Sequence, residues 1–364
     1  MFDITMLIVP FFISLGLTPL IKKYSVIAKT YAKENERTIH HGKISRIGGV
    51  AIYVSFIISM ALFVKADMAV NGMILGGSLM FFAGLIDDLI DMKPLVKLAF
   101  EVCAAFILVA FGVGVDVLRL PFGITIDSIA LSIVFTIIWI VGITNAVNLI
   151  DGLDGLCGGM SVVIFVVIGC IAIVERRMDI TIITFLLAAS TFGFLVYNAH
   201  PASIFMGDCG SLFLGFMISA ISLLGFKSST IVTLALPMLL LMLPIIDTLS
   251  AILRRTLKGR KFLEADKSHI HHLLMKQFGH RNTVIIMCGI TTLFGFSAFV
   301  YMLNEMFGLL AIMIILLAVE IFIEKSAMIS EHFHPILGIC RRGLNRIKLI
   351  AKIIKEHKEK KSAK

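Results

Sequence analysis

Five groups of polar residues interrupt an otherwise strongly apolar chain, and their residue types suit phosphate and metal chemistry. In chain order, they are the basic loop from His40 to Gly49, Asp87-Asp88-x-x-Asp91, Asn145-x-x-Asn148-x-x-Asp151-x-x-Asp154, Gly207-Asp208-x-Gly210-Ser211, and Arg254-Arg255 followed by His269-Ile270-His271-His272. A carboxylate near hydrocarbon is costly, so each acidic group is a functional hypothesis by default.

The first acidic group suits a cation. Helical spacing puts Asp87 and Asp91 on one face if the helix continues, with Asp88 about 100° around it. Carboxylates this close repel one another unless a cation or a proton is shared. Mg²⁺ accepts one or two carboxylates and fills its other positions with water and substrate phosphates. The alternative is a loop in which the acids only pair with Lys93 and Lys97.

The string from Asn145 to Asp154 is the most specific of the five. Residues three apart form a slowly rotating ribbon on a helix, so Asn148 and Asp151 can face one cleft. Gly152 and Gly155 then permit a turn and a close backbone approach to a ligand. An amide both donates and accepts, which suits a uracil or an acetamido group. A plain helix end and loop would explain the glycines but not the regular three-residue spacing.

Asp208 stands where a predicted helix begins, after the segment Tyr197-Asn198-x-x-Pro201 and Phe205. Helix N-termini favour anions such as phosphate through their N–H groups and dipole. A simple N-cap is the alternative role for this aspartate. Its position on the same predicted side as the other acids favours a metal ligand.

The two basic groups indicate an anionic ligand. Arginines such as Arg254 and Arg255 make bidentate contacts with phosphate. The three histidines His269, His271 and His272 raise the alternative of zinc, but their spacing is not that of a metalloprotease site. Phosphate or sugar contacts are therefore the favoured role. In the first loop, Arg46 adds a further basic group, and the neighbouring glycines permit a flexible turn.

The elements that must position these groups are membrane-spanning helices. The chain of 364 residues is 58% hydrophobic and 16% charged, with a mean hydropathy of +0.98, which is typical of a polytopic all-α membrane protein. We predict about eleven spans, approximately at residues 4–21, 47–64, 72–87, 95–114, 128–147, 157–174, 180–197, 209–226, 231–251, 283–301 and 305–324. The six cysteines are scattered, which argues against a disulfide framework.

The charge distribution predicts the orientation. With the N-terminus outside, 28 of the 33 lysines and arginines fall in segments that face the cytoplasm. The excess of positive charge therefore reflects topology, and nucleic acid is not an expected partner. All five polar groups then share the cytoplasmic face, and the C-terminus is cytoplasmic. We predict a catalytic membrane domain over 1–325, a basic amphipathic tail over 326–364, and an outside hairpin without chemistry near Pro121.

These motifs resemble the polyprenyl-phosphate N-acetylhexosamine-1-phosphate transferases of the WecA and TagO type, which are related to the translocase that makes lipid I. The resemblance runs from about Lys22 to Arg281 and includes all five groups in order. The strings Asn148-x-x-Asp151-Gly-x-Asp154-Gly and Gly207-Asp208-x-Gly-Ser carry most of it. The His-Ile-His-His form is similar to the N-acetylhexosamine branch of the family rather than to the branch that transfers the muramyl pentapeptide.

The resemblance implies a set of site residues. Asp87 and Asp88 would form the acidic pair of the active centre, with Asn148 and Asp151 lining the catalytic cleft. Asp208, together with Asp88, would bind Mg²⁺, for which Mn²⁺ could substitute. The implied substrate contacts are Asp154 and Phe205 on uracil, Asn198 near the nucleotide, and Arg255, His269, His271 and His272 near the diphosphate and sugar, with Arg46 as a further basic contact.

The implied reaction transfers N-acetylhexosamine 1-phosphate, with N-acetylglucosamine as the expected sugar, from a UDP-sugar to undecaprenyl phosphate at the bacterial inner membrane. The substrates and the bilayer are then the expected partners, and a homodimer is left open. One alternative is an intramembrane prenyltransferase, which would need two separated Asp-rich motifs and no histidine loop. The other is a secondary transporter, whose site would lie near the bilayer midplane rather than at helix ends.

Overall fold

The fold is almost entirely helical in a computed structural model that describes residues 3–27, 44–115, 118–119, 125–126, 128–225, 242, 245 and 270–325. Its elements are, in chain order, α1 (Thr5–Ile27), α2 (Gly49–Phe63), α3 (Met68–Ile90), α4 (Pro94–Ala110), β1 (Leu118–Arg119), β2 (Thr125–Ile126), α5 (Ile129–Ile150), α6 (Leu156–Val174), α7 (Met178–Asn198), α8 (Gly207–Gly225), α9 (Ile270–Phe278), α10 (His280–Leu303) and α11 (Glu305–Lys325).

Most of these helices are built to cross a bilayer. Within the described ranges, eight of them are long and apolar enough to span, namely α1, α3, α5, α6, α7, α8, α10 and α11. The helix α2 is equally apolar but has only 15 residues, and α4 has 17, whereas a straight span needs about 20. The chain is therefore a multi-pass membrane protein with an all-α fold.

Predicted spans and observed helices agree closely where they can be compared. Ten of the eleven predicted spans coincide with a helix. The ninth, over 231–251, lies outside the described residues apart from positions 242 and 245, as does the predicted tail over 326–364. The count of eleven and the outward N-terminus stay predictions. The predicted hairpin is confirmed, because Leu118 of β1 pairs with Ile126 of β2 in an antiparallel register.

Small residues let α3 and α8 pack closely at the centre of the bundle. A Cβ added to Gly76 would lie 2.4 Å from the Phe216 ring. Near the end of α3, a Cβ on Gly84 would lie 2.3 Å from the carbonyl oxygen of Asp208. Membrane helices lack a strong hydrophobic drive to associate, so glycine seams of this kind provide the close contact that holds them together. The seam fixes the end of α3 against the start of α8.

Buried polar contacts join the neighbouring helices to this pair. The indole N–H of Trp139 on α5 donates to the Ser222 hydroxyl on α8 over 2.9 Å. On the other side, the Ser55 hydroxyl on α2 donates to the carbonyl oxygen of Pro10 over 2.6 Å and lies 3.1 Å from the Ser190 oxygen on α7. Polar atoms with no water nearby need such internal partners, so these bonds add specificity to the packing.

A second, smaller core joins α9 and α10 to the turn that follows α5. The buried side chains of Leu274 and Met287 pack in one cluster with Ile150, Leu153 and Leu156. This contact places the start of α10 beside the residues of the Asn145–Asp154 string. The C-terminal ends of α3 and α5 and the N-terminal ends of α4, α8 and α10 thus gather at one end of the bundle.

Candidate active site

The central feature at this end is a lysine held between two carboxylates. Asp87 lies in the last turn of α3, Lys97 in the first turns of α4, and Asp208 in the first turn of α8. The Lys97 Nζ lies 2.5 Å from Asp208 Oδ2 and 3.0 Å from Asp87 Oδ2. Three helix ends therefore bring two carboxylates and one ammonium into a single group.

An amide completes this group. Asn148, in the last turn of α5, donates from Nδ2 to Asp208 Oδ1 over 3.0 Å and to the Ser211 hydroxyl over 2.8 Å. We refer to Asp87, Lys97, Asn148 and Asp208 as the acid–lysine cluster. Its oxygens are hard ligands of the kind that Mg²⁺ prefers. The predicted proximity of Asp87, Asn148 and Asp208 is confirmed, while their roles stay predictions.

Asp88 has a different environment from its neighbour. Its Oδ1 accepts the backbone N–H of Asp208, and its Oδ2 accepts that of Cys209, each over 2.9 Å. Asp88 thus caps the N-terminus of α8 from another helix. The alternative that Asp208 is itself the cap is wrong, because its carboxylate faces Lys97 and Asn148 instead. Ligation of a metal by Asp88 stays a prediction, and the geometry favours Asp87 as the second carboxylate beside Asp208.

The third acid of this motif does not share the helical face of Asp87. The helix α3 ends at Ile90, and Asp91 adopts a left-handed C-cap conformation with φ 52°. Its N–H donates to the Asp87 carbonyl, while the Asp87 carboxylate accepts the N–H of Met92 over 2.5 Å. The helix does not continue far enough for Asp87 and Asp91 to share one face, because it ends before Asp91. Asp87 does pair with Lys97, whereas Lys93 is exposed, and the alternative that ion pairing is the sole role of these acids stays untested.

A backbone contact brings the first basic loop into the site. The Phe205 N–H donates to the Ser45 carbonyl over 2.8 Å, and the Gly48 N–H donates back to the Phe205 carbonyl over 2.9 Å. Beyond Phe205, Gly207 has φ +73°, and a Cβ there would overlap the carbonyl of Arg46. Only glycine allows this left-handed turn with such a close approach. Arg46 is thereby held next to the start of α8.

Asp151 lies directly after α5, among these charges. Enclosure by the protein raises the pKa of Asp151 well above its usual range, and the carboxylates of Asp208 and Asp88 raise it further. The Arg46 guanidinium acts in the opposite direction. Asp151 therefore lies near enough to these charged groups to feel their field, and its place in the catalytic cleft stays a prediction.

Asp154 belongs to a separate group with two histidines. Its Oδ2 lies 2.9 Å from Nδ1 of His200 and accepts the N–H of Ala202 over 3.1 Å. The Nε2 of His280, at the start of α10, lies 3.4 Å from the Asp154 carbonyl oxygen and 4.0 Å from Oδ2. We refer to Asp154, His200 and His280 as the Asp154–histidine cluster. Neither histidine belongs to a motif that predicts a functional role.

The two imidazoles stack instead of converging on a common point. Their centroids are 4.1 Å apart and their planes differ by 17°. The three side chains are near enough to hold a metal ion. However, a ring nitrogen binds a metal along a lone pair in the ring plane, and two nearly parallel rings direct their lone pairs along separate planes. The arrangement observed is therefore one that fixes the Asp154 carboxylate by hydrogen bonds.

Asn198 supports the same region from behind. Its Oδ1 accepts the N–H of Gly155 over 3.1 Å, and its Nδ2 donates to the carbonyl of Ile204 over 2.9 Å. Gly155 has φ +75°, so the glycine turn expected after Asp154 is confirmed. Asn198 is buried and its amide joins two loops, so a direct substrate contact is not supported. Its proximity to the predicted nucleotide region follows from its bond to the Asp154 turn.

The side chains of the Asn145–Asp154 string face three different parts of the site rather than a single cleft. Asn145 faces α4, where its Nδ2 donates to Oε2 of the buried Glu101 over 2.5 Å. Asn148 faces the acid–lysine cluster, and Asp154 faces His200. The regular spacing therefore reflects a rotating helix face followed by a turn. Glu101 and Lys97, one helical turn apart on α4, were missed as site residues because they are isolated charges near the start of an apolar span and belong to no motif.

The remaining predicted contacts can be placed only in part. Arg255 and His269 lie outside the described residues. His271 and His272 lie in the first turn of α9, although the structure describes only their backbone. Phe205 is half-buried beside the first basic loop. The contacts of these side chains with diphosphate, sugar or uracil stay predictions.

The chain is similar to known phosphosugar transferases over most of its length. Residues 70–226, which include the whole acid–lysine cluster, match the family described as glycosyl transferase family 4. A probable undecaprenyl-phosphate N-acetylglucosaminyl 1-phosphate transferase of Bacillus subtilis is 35% identical over 336 residues, 91% of this chain and 94% of the relative. A decaprenyl-phosphate N-acetylglucosaminephosphotransferase of Mycolicibacterium smegmatis is 34% identical over 292 residues, 70% of this chain and 71% of the relative. A phospho-N-acetylmuramoyl-pentapeptide-transferase of Listeria welshimeri is 36% identical over 180 residues, 48% of this chain and 53% of the relative.

Proposed function

Because the chain belongs to glycosyl transferase family 4, we propose that it transfers N-acetylglucosamine 1-phosphate from UDP-N-acetylglucosamine to undecaprenyl phosphate and releases UMP. The resemblance inferred from the motifs is confirmed by these similarities. Relatives named for N-acetylglucosamine phosphate transfer align over more of the chain than the pentapeptide transferase does. The acid–lysine cluster at the bundle end is the observation that carries the chemical part of the proposal.

In the proposed reaction, an oxygen of the lipid phosphate attacks the β-phosphorus of the UDP-sugar. The new P–O bond forms as the bond from the β-phosphorus to the oxygen bridging to UMP breaks, and UMP leaves with that electron pair. The lipid phosphate is already anionic near neutral pH, so positioning and charge neutralisation matter more than strong base catalysis.

The chain offers a suitable place for a divalent cation. The proposed site is supported by the Lys97 ammonium, which pairs with both Asp87 and Asp208 at this position. With Asn148 and Ser211 beside them, the donors are hard oxygens and amides suited to Mg²⁺. Asp208 and Asp87 would hold the ion, which when bound offsets charge developing on the UMP phosphate. Mn²⁺ could substitute for Mg²⁺.

The protein's own groups arrange the diphosphate around this point. The N-terminus of α8 contributes the positive end of its dipole to the cleft, while the N–H groups of Asp208 and Cys209 in its first turn are bound by the Asp88 carboxylate. Asp88 thus holds that turn in place, and Arg46 contributes a positive charge near Asp151. Asp154, held by His200, is assigned to uracil together with Phe205. The histidine motif at the start of α9 is assigned to the diphosphate and sugar.

The decisive experiment is a donor panel. Purified protein is incubated with undecaprenyl phosphate and several UDP-sugars, and UMP and lipid-linked product are measured with and without EDTA. UMP release with UDP-N-acetylglucosamine, dependent on Mg²⁺ or Mn²⁺ but not on zinc, is the expected result. Turnover of prenyl diphosphates without UMP formation would instead support a prenyltransferase.

The orientation is tested separately. We propose that the site faces the cytoplasm of a bacterial inner membrane, since the basic residues concentrate at that predicted face. Cysteine introduced at Arg176, which follows α6 at the opposite end of the bundle from the site, should react with an impermeant maleimide in intact cells. Cysteine introduced at Lys93, beside the acid–lysine cluster, should react only after permeabilisation. Labelling of position 93 in intact cells would place the site outside.

A further inference from the structure

The Lys97 ammonium lies where a divalent cation would have to bind. It contacts Asp208 Oδ2 at 2.5 Å and Asp87 Oδ2 at 3.0 Å, and the three side chains are all largely buried, at 18%, 21% and 14% relative exposure. Mg²⁺ binds oxygen at about 2.0–2.1 Å. An ion held by both Oδ2 atoms would therefore overlap the ammonium and repel it. Lysine and metal cannot share this position.

We propose that Lys97 is an exchangeable counter-ion, which neutralises the two carboxylates when metal is absent and withdraws when a divalent cation binds. The proposal rests on the proposed function, because it takes Asp87 and Asp208 as the metal ligands. It adds that the protein's own ammonium competes with the metal for the site. The affinity of the free enzyme for Mg²⁺ is thereby lowered by a residue that the reaction nevertheless requires.

The two carboxylates are held in place independently of Lys97. Asp208 Oδ1 accepts from Asn148 Nδ2 over 3.0 Å. Asp87 Oδ1 accepts from the backbone N–H of Met92 over 2.5 Å. Each acid thus has one oxygen bound to a neutral donor and the other to the ammonium. Withdrawal of Lys97 leaves the carboxylates positioned for a metal.

The displaced ammonium needs a new anion, and the substrate supplies one. Lys97 lies in the first turns of α4, at the edge of the cleft, on a flexible four-carbon stem. A phosphate oxygen of the bound diphosphate is a strong acceptor for it. Metal binding then frees the ammonium for the diphosphate, and the diphosphate stabilises the withdrawn lysine. Two ligands that favour the same state of one side chain bind with positive coupling.

Binding of Mn²⁺ to the full-length protein, measured by electron paramagnetic resonance without nucleotide, tests the exchange. Lys97→Met should bind Mn²⁺ about tenfold more tightly than the wild type, since a competing charge is removed from a partly buried site, while turnover falls. Lys97→Arg keeps the charge and should retain the weak affinity. Lys93→Met removes an exposed, solvent-screened charge one turn earlier and should leave the affinity unchanged. Unchanged or weaker binding by Lys97→Met overturns the proposal.

Coupling to the nucleotide provides a second measurement. UDP should tighten Mn²⁺ binding in the wild type by a larger factor than in Lys97→Met, and equal factors contradict the exchange. Lys97→Gln, with size-exclusion and thermal-unfolding profiles, replaces Lys97→Met if that variant does not fold. Asp208→Asn tests the proposed metal ligands separately from the role of Lys97. If it binds Mn²⁺ as well as the wild type does, the proposed metal ligands themselves are wrong, whatever Lys97 does.

Discussion

The acid–lysine cluster and the Asp154–histidine cluster hold carboxylates at the same end of the bundle, but in opposite ways. In the first, Asp87 and Asp208 face the Lys97 ammonium, which we propose that a divalent cation replaces. In the second, Asp154 is bound by a backbone N–H and by His200, within a turn that Asn198 fixes from behind. One arrangement suits groups whose charge environment changes during a reaction. The other suits recognition of a part of the substrate that does not react.

The largest effect on turnover is expected from a substitution that disrupts the acid–lysine cluster. Asp208→Asn removes a charge at the proposed metal position and should lower kcat about a thousandfold. Folding should be nearly intact, because Asp88 and not Asp208 caps α8. Turnover and thermal unfolding of the purified variant provide the check. Near-normal turnover in a well-folded variant would show that Asp208 is not a metal ligand.

Substitutions of the adjacent acids Asp87 and Asp88 should differ in their effects on turnover and on stability. Asp87→Asn should lower kcat about a hundredfold with a smaller loss of Tm than Asp88→Asn, because Lys97 keeps its ion pair with Asp208. Asp88→Asn can accept only one of the two N–H groups that cap α8, so about 1–2 kcal/mol of stability should be lost along with activity. Kinetics and thermal unfolding of both variants form the measurement. A Tm loss confined to Asp87→Asn would reverse the assignment.

Substitutions in the Asp154–histidine cluster should mainly change the KM for the UDP-sugar. Asp154→Asn should raise the KM for the UDP-sugar about tenfold with little change in kcat or in the KM for the lipid. His280→Ala should raise the same KM about threefold, since His280 contacts Asp154 and stacks on His200, and His280→Gln should restore part of it. Gln277→Ala, on the exposed surface of α9, is the matched control. If His280→Ala lowers kcat alone, this cluster takes part in the chemistry.

The smallest effect concerns Asp151, which lies between the clusters. Its pKa is raised in the folded protein, so ionisation costs folding free energy as pH rises above the ordinary value of 3.8. Asp151→Asn should therefore raise the Tm at pH 8 by about 2 °C in EDTA. The difference should shrink toward pH 4, where the unfolded carboxyl is half protonated. A Tm that falls at pH 8 would show that the Asp151 charge is stabilising.

The sequence predicts the helices well because each span is a long apolar run, and it predicts Asp87, Asn148 and Asp208 to be close because they end or begin such runs on one side. It does not reveal which way each side chain points. Asp87 and Asp88 are adjacent in sequence, yet one faces Lys97 and the other caps α8, since the helix turns about 100° between them. His200, which follows α7, and His280, which begins α10, lie far apart in the chain and carry no shared motif. The tertiary fold brings them together, because α10 packs against α6 and α6 packs against α7.

The glycine contacts beneath the site also bear on how inhibitor resistance could arise. A Cβ at Gly49 would lie 2.3 Å from the backbone N of Gly210, and one at Gly84 would lie 2.3 Å from the carbonyl oxygen of Asp208. Backbone cannot move aside as a flexible side chain can, so almost any substitution there would displace the start of α8. An inhibitor that mimics the UDP-sugar and binds against the backbone around Gly49, Gly84 and the start of α8 would therefore leave few resistance mutations that preserve activity. An inhibitor that binds mainly to exposed side chains around the site would allow many more.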